Sequence, residues 1–155
     1  DVLLEAINGL PVSLLIVCDG PDYQQLAVQA EKLSLNTSCR LIGHREDVND
    51  LIYSSDALVI SSRREGFPYV FVEAVMCQAN IISTSVPVSE VLPSELIVPI
   101  NDVKKLREKL VYFMAHQAEW DALMQPVRAF VLDELQCTKM TRHTISKYES
   151  TLVKA

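Results

Sequence analysis

The 155-residue sequence has little glycine, no excess of basic residues and no long apolar run. Its four glycines and seven prolines are too few and too scattered for a low-complexity or disordered segment. Largely apolar segments such as Ser13–Val17 and Ala79–Ile82 have the length of a β-strand, whereas a membrane-spanning helix needs about 20 apolar residues. The formal net charge of −6 argues against a nucleic-acid partner, which selects a basic surface. What remains is a globular domain, and the 49% apolar content suits one.

The cysteines form no metal-binding or redox pattern. The four of them are irregularly spaced and include no C-x-x-C pair (Cys18, Cys39, Cys77, Cys137), so the sequence carries no zinc or dithiol signature. Most lie in apolar segments, where a cysteine behaves as a small buried hydrophobe. We therefore expect free thiols in a reducing compartment, the cytoplasm.

Strand-sized apolar runs alternate with helical patterns over residues 1–101. The strands are predicted at Val12–Val17, Cys39–Ile42, Ala57–Ile60, Ile81–Ser83 and Leu96–Val98. Helices are predicted at Val2–Ile7, from Asp22 to Leu33, from Asp47 to Tyr53 and from Pro68, as a first-turn proline, to Gln78. Strands separated by helices imply right-handed crossovers and a parallel sheet with both faces covered. The sequence thus predicts an α/β domain with a Rossmann-like, doubly wound parallel sheet.

Residues 102–155 have a helical pattern throughout, with breaks near Glu119 and at Gln136–Thr138. We expect these helices to close the 1–101 core and the whole of 1–155 to be one domain. Because the chain begins at Asp1, inside a helical pattern, we also expect it to be part of a longer protein.

Ligands of doubly wound folds bind beyond the carboxyl ends of the strands. That rule selects the loops Cys18–Pro21, Gly43–Asp47 and Ser61–Pro68. The densest chemistry is the strand-loop-helix unit that ends in Glu65-Gly66-Phe67-Pro68 and continues to Glu73.

The loop and helix over 61–74 carry groups that suit a phosphorylated sugar. A helix start presents free amides and a positive dipole end to a phosphate. Gly66 has no Cβ to keep a ligand away from the backbone. A loop or helix glutamate is ordinarily solvated, but apolar residues flank Glu73 on both sides, which predicts a buried helix and a carboxylate in need of partners.

The sequence resembles the donor-binding, C-terminal domain of retaining GT-B glycosyltransferases of family 4. Glu65 and Glu73, eight residues apart, match its E-G-(F/L)-(G/P)-x-x-x-x-E-A signature. Asp19-Gly20-Pro21 is similar to its G-D-G-P turn. Further matches in consistent order are Leu41–Arg45 to an F-L-G strand end, Asp47–Ala57 to a D-V-x-x-L-Y-x-x-A-D segment, and a tail containing Arg128, Phe130, Met140 and Tyr148.

The resemblance implies a role for each matching position. Glu73 would bind the ribose hydroxyls and Glu65, the catalytic residue, the hydroxyls of the donor sugar. Amides around Gly66, Phe67 and Pro68 would face the sugar and diphosphate, with Arg63 near the phosphates. His44 and Arg45 would lie against the base, and Gly20 in the G-D-G-P turn would complete the donor site.

The same resemblance implies a sugar transfer with retention, without a metal or other cofactor. The expected donor is a UDP-sugar. The expected acceptor is a glycan or a lipid-linked acceptor of polysaccharide or lipopolysaccharide synthesis. The expected setting is the cytoplasm or the inner face of the inner membrane. The N-terminal acceptor domain of the same enzyme would be the main partner, so that 1–155 alone transfers no sugar and could dimerise through an open sheet edge.

The sequence departs from the family at several points. The Arg/Lys clamp for the diphosphate, with its strand, falls before Asp1. Cys18 replaces a glycine of the G-D-G-P turn, and Val86–Glu90 replaces a Gly-Gly-x-Pro-Glu loop, which puts donor-sugar contacts there in doubt.

Other functions stay open at this point. A non-catalytic Rossmann-like module would be favoured if Glu65 and Glu73 faced opposite sides. A nucleotide-sugar 2-epimerase would need acid/base histidines, yet His116 and His143 fall in the helical tail. No G-x-G-x-x-G supports an oxidoreductase, and the late lysine of a receiver domain is missing.

Overall fold

A computed structural model describes residues 1–17 and 19–152 of the chain. Cys18, in the predicted loop 18–21, lies outside the described residues. Within these ranges the helices are α1 (Val2–Ile7), α2 (Tyr23–Lys32), α3 (Val48–Tyr53), α4 (Tyr69–Met76), α5 (Val103–Ala115), α6 (Gln117–Glu134) and α7 (Cys137–Leu152). The strands are β1 (Leu14–Ile16), β2 (Cys39–Leu41), β3 (Ala57–Ile60), β4 (Asn80–Thr84) and β5 (Ile97–Val98). Two short 3₁₀ turns, Pro87–Glu90 and Ser94–Leu96, connect β4 to β5.

The strands form two parallel sheets. β1 pairs with β2, with Leu14 opposite Cys39, and β3, β4 and β5 form a three-stranded sheet in that order. The predicted α/β class with parallel strands is confirmed, although the ladder is not continuous between β1 and β3 among the described residues.

The strands β4 and β1 differ in how far their side chains are buried. Ile81 and Ile82 of β4 have no exposed surface, as a strand covered on both faces requires. Leu15, in the middle of β1, is 43% exposed. The prediction of doubly buried strands was therefore wrong for β1, because the face of the sheet to which Leu15 points is not covered.

A single cluster of buried apolar side chains runs from α1 to α6. Trp120 of α6 lies at its centre, 1% exposed, and donates its indole N–H to the Ile81 carbonyl over 3.0 Å. α5 packs against α1, and α6 packs against α4 and β4. The predicted closing helices α5 and α6 are thus part of the same core as the strands.

Several element boundaries differ from the sequence prediction. The first helical break is at His116, which ends α5 and caps α6 at φ −135° and ψ 39°, rather than near Glu119. Pro68 is the N-cap of α4, not its first helical residue, and α4 ends at Met76 rather than Gln78. None of the described helices combines the length and apolar character needed to span a membrane.

Candidate functional site

The predicted site is built on the β3-loop-α4 unit. β3 ends at Ile60 and the loop turns at Gly66 before α4 begins at Tyr69. Pro68, at φ −71° and ψ 112°, is an extended N-cap whose side chain supplies no capping acceptor. The first amides of α4 therefore have no side-chain partner at this helix end and can take an external acceptor.

Glu73 projects from α4 into solvent. It is an exposed residue, and its carboxylate has no hydrogen-bond partner among the described residues. The expectation of a helix buried on all sides was wrong. α4 buries Phe71, Ala74 and Val75, whereas residues 69, 73 and 76, one helical turn apart, share the exposed face.

Glu65 is held by a hydrogen bond within its own loop. Ser62 Oγ donates to Glu65 Oε1 over 2.6 Å in a partly buried setting. A hydroxyl bond of this length to a carboxylate is charge-assisted and strong. No described residue donates to the other oxygen, Oε2, which is left for a ligand.

The loop is also tied to the sheet by a buried threonine. Thr84, 2% exposed at the end of β4, has its Oγ1 2.6 Å from the Ser62 carbonyl oxygen and 3.2 Å from that of Ile60. A hydroxyl has one proton to donate, and the Ser62 carbonyl is the nearer acceptor. The sequence analysis did not predict a role for the hydroxyl groups of Ser62 and Thr84. The polar pair Ser83-Thr84 at the end of an apolar strand was a signal that could have indicated Thr84.

Gly66 has open space around its Cα. A Cβ built there would have no atom within 4 Å, and its φ is not positive. Phe67, 39% exposed, contacts the buried Phe71 edge-to-face at a ring distance of 6.0 Å. Nothing in the described chain therefore requires glycine at 66, and the expected close approach of a ligand stays a prediction.

Arg63 is engaged within the chain. Its Nε donates to Asn101 Oδ1 over 2.7 Å and its Nη2 forms an ion pair with Asp1. Asn101 has a positive φ of 61°, which asparagine tolerates better than most residues. Arg63 thus joins the end of β3 to the starts of α1 and α5, and its predicted contact with phosphates stays a prediction.

The Gly43–Asp47 loop follows β2 and begins at a positive φ of 70°. Arg45 donates to both carboxylate oxygens of Asp47 over 2.7 and 2.6 Å. That bidentate bond holds the pKa of Asp47 below its ordinary value, so the pair weakens only as acid protonates the carboxylate. His44 is exposed. The Arg45 side chain is occupied by Asp47, and the predicted contact of the Arg45 backbone with a base stays a prediction.

Gly20 precedes α2, and its carbonyl accepts the Tyr23 amide over 3.0 Å at the start of that helix. Its predicted part in the donor site is not tested by any described contact.

Two grooves lie elsewhere on the described surface. One, of about 450 Å³, lies between α1 and α2 and includes Asp1 and Gln29; the other, of about 280 Å³, lies between β5 and α5 and includes Lys109 and Tyr112. Neither is lined by Glu65 or Glu73. In the predicted site Glu73 is exposed and Glu65 is partly buried. Among residues 1–17 and 19–152 no cluster of three His, Cys, Asp or Glu could hold a metal ion.

Comparison with known proteins assigns the chain to a family. The family model described as "Glycosyl transferases group 1" matches residues 1–116, a span that contains all the predicted site residues. The chain belongs to the group 1 glycosyl transferases.

Relatives of this glycosyl transferase domain differ in what they act on. It is 28% identical over 80 residues to the N-acetyl-alpha-D-glucosaminyl L-malate synthase of Bacillus anthracis, covering 52% of this chain and 21% of that protein. It is 31% identical over 90 residues to the phosphatidylinositol N-acetylglucosaminyltransferase GPI3 subunit of Saccharomyces cerevisiae, covering 56% of this chain and 20% of the relative. The chain thus spans about a fifth of the length of these curated relatives.

A solved structure shares the fold of this glycosyl transferase domain. HepE of Anabaena, in a crystal structure with UDP-glucose, superposes with a TM-score of 0.87 at 17% identity, covering 96% of this chain and 44% of HepE. At this identity the likeness concerns the fold alone, which is that of a GT-B glycosyltransferase domain.

Proposed function

We propose that the face around α4 binds the donor of a sugar transfer, and that the chain is the donor-binding part of a retaining glycosyltransferase. The observation that carries the proposal is the start of α4, a helix without a side-chain cap that follows Glu65 and carries the exposed Glu73. Helix-terminal amides and the positive end of the helix dipole favour a diphosphate. Glu73 is suited to accept from the ribose hydroxyls and Glu65 Oε2 from a hydroxyl of the donor sugar.

A UDP-sugar is the proposed donor. HepE is described with UDP-glucose, and both curated relatives are named for an N-acetylglucosaminyl group. UDP-glucose and UDP-N-acetylglucosamine are therefore the first two donors to test.

In the proposed reaction the departing diphosphate gains negative charge as the glycosidic bond breaks. Preorganised donors directed at that charge supply the main stabilisation in such sites. The amides around Gly66, Phe67 and the start of α4 fill this role. Arg63 contributes through Nη1, which no described residue occupies, and no metal or cofactor is required.

The acceptor and the cellular setting are also part of the proposal. The relatives' names include malate and phosphatidylinositol, and we propose that the acceptor is selected outside the aligned region. We place the acceptor site in an N-terminal domain of the same enzyme, with a glycan or lipid-linked acceptor of cell-surface polysaccharide or lipopolysaccharide synthesis. The free thiols Cys39 and Cys77 are consistent with a cytoplasmic enzyme, which would meet a lipid-linked acceptor at the inner membrane.

His116 and His143 do not favour an epimerase. The His116 ring stacks on Tyr112 at 4.1 Å, and its Nδ1 lies 2.9 Å from the Tyr112 carbonyl, at the junction of α5 and α6 rather than in a strand-end loop. His143 lies on the exposed part of α7. Neither provides an acid or base beside Glu65.

Binding of UDP-, GDP- and ADP-sugars to the full-length protein tests the proposal. We expect a UDP-sugar to bind and Glu73→Gln to weaken that binding by about 1.5–3 kcal/mol, the range for a hydrogen bond to a charged group. Glu31→Gln, at an exposed position of α2, is the matched control and should bind like the parent. Equal affinity of all three proteins for UDP and its sugars would refute the ribose role of Glu73.

A further inference from the structure

Two hydroxyl groups connect the Glu65 carboxylate to the central strand of the three-stranded sheet. Thr84 is fixed in β4, opposite Val98 of β5, and its side chain is almost completely buried. Its Oγ1 contacts the Ser62 carbonyl oxygen at 2.6 Å, and Ser62 Oγ donates to Glu65 Oε1 over the same distance. The position of the carboxylate is therefore determined by the core rather than by the loop alone.

This connection matters because Glu65 lies in a loop on a flexible side chain. Without a partner, a glutamate samples several rotamers, and fixing it on binding costs side-chain entropy. Ser62 occupies one carboxylate oxygen and leaves Oε2 free, so the direction of the free oxygen is set before a ligand arrives. Such preorganisation lowers the cost of binding and of reaching the transition state.

We propose that Ser62 is a positioning residue for Glu65, and that Thr84 anchors the Ser62 backbone to β4. Ser62 acts through the carboxylate and has no contact with the donor of its own. The inference rests on the proposed function, because it assigns Glu65 to the donor sugar rather than to the nucleotide.

A double-mutant cycle on the full-length protein tests this role. UDP release from UDP-glucose or UDP-N-acetylglucosamine gives kcat/KM, and calorimetry gives the affinities for the UDP-sugar and for UDP. We expect Ser62→Ala to lower kcat/KM about tenfold or more, the size expected for one hydrogen bond to a charged group. Its affinity for UDP should stay within about twofold, because Glu65 does not contact the nucleotide in this account.

A conservative variant tests whether the hydroxyl group of Ser62 is what matters. Ser62→Thr keeps a hydroxyl that can donate the hydrogen bond to Glu65, and it should retain most of the activity. In a Glu65→Gln background, Ser62→Ala should cost less than about twofold, since the charged acceptor through which it acts is gone. If Glu65→Gln lowers sugar transfer to the detection limit, the double-mutant cycle is calculated instead from the affinities of the four proteins for the UDP-sugar.

The role of Thr84 is tested with Thr84→Val, which keeps the shape of the side chain and removes the hydroxyl group that donates the hydrogen bond. We expect a loss of transfer in the same direction as for Ser62→Ala, and recovery in Thr84→Ser. Ser83→Ala is the matched control, because Ser83 is equally buried and its hydroxyl bonds only the Thr84 carbonyl. It should leave transfer near the parental value.

The outcomes separate the two proposals. Loss of transfer in Glu65→Gln without loss in Ser62→Ala would overturn the positioning role and leave the donor site standing. An equal loss from Ser62→Ala with and without the Glu65 carboxylate would also overturn it, because the serine would then be purely structural. No loss in Glu65→Gln would overturn the proposed role of Glu65 itself.

Discussion

At the scale of single residues, Gly43 and Gly66 occupy opposite situations in the two site loops. Gly43 has a φ of +70°, a region in which a side chain is strained. Gly66 has no positive φ and open space around it. The backbone conformation favours glycine at 43, whereas a ligand is the only reason in our account to favour it at 66.

Alanine substitutions should separate these two reasons. We expect Gly43→Ala to lower the free energy of unfolding by about 1–2 kcal/mol, the cost of the left-handed conformation. Gly66→Ala should leave stability unchanged or raise it by about 0.4–1 kcal/mol, yet weaken binding of a UDP-sugar. Urea unfolding and calorimetry measure both effects. Parental donor affinity in Gly66→Ala would remove the proposed close approach.

The sequence predicted which residue types the candidate site contains better than it predicted how exposed those residues are. The spacing of Glu65 and Glu73 across a strand-loop-helix turn was readable, and both lie on that unit. The exposure of Glu73 was not readable, because the sequence does not state which apolar neighbours remain uncovered. Met76, one of the apolar neighbours that predicted a buried helix, is 60% exposed, and Tyr69 on the same face of α4 is 78% exposed.

At the scale of elements, β5 is too short to pair with the whole length of β4, and a side chain of α6 supplies a hydrogen bond that β5 does not. β5 pairs only with Ser83 and Thr84. The Ile81 carbonyl points to the edge of β4 that β5 occupies, because residues two apart in a strand direct their carbonyl groups to the same edge. It takes the Trp120 indole N–H instead of a strand partner. α6 is thereby joined to the sheet by both a hydrogen bond and apolar burial.

Substitution of Trp120 tests this junction. Trp120→Phe leaves the Ile81 carbonyl without its donor and should cost about 1–3 kcal/mol of unfolding free energy. Trp120→Ala adds a cavity and should cost about 3–5 kcal/mol. Phe130→Ala, 43% exposed on the same helix, should cost less than about 1 kcal/mol. A Trp120→Phe protein as stable as the parent in urea would show that the hydrogen bond is unimportant.

Element types could be predicted more reliably than their ends. The apolar run 57–60 gave β3 its observed bounds, because both flanks are polar. β1 is three residues long rather than the six predicted over Val12–Val17, since strand ends depend on the length of the partner. The break at His116 was placed three residues too late, because a helix junction without proline or glycine leaves little trace in the sequence.

At the scale of the whole molecule, the alternation of strands and helices predicted the fold class. It could not predict that the described strands form separate two- and three-stranded sheets, because periodicity does not specify which strands are neighbours. Motif order across the chain predicted a glycosyltransferase, and the match to the group 1 glycosyl transferases over residues 1–116 confirms it, whereas membership of family 4 stays a prediction. Donor, acceptor and stereochemistry stay predictions.

Hydrogen–deuterium exchange of the full-length protein, with and without UDP-glucose or UDP-N-acetylglucosamine, tests the central claim most directly. A donor bound at α4 should protect peptides covering 61–73 and the 43–47 loop, and Glu73→Gln should reduce that protection. UDP alone should protect the start of α4 and leave the Ser62–Glu65 segment less affected. Protection confined to the groove between α1 and α2, or to the groove between β5 and α5, would contradict the assignment of the donor site.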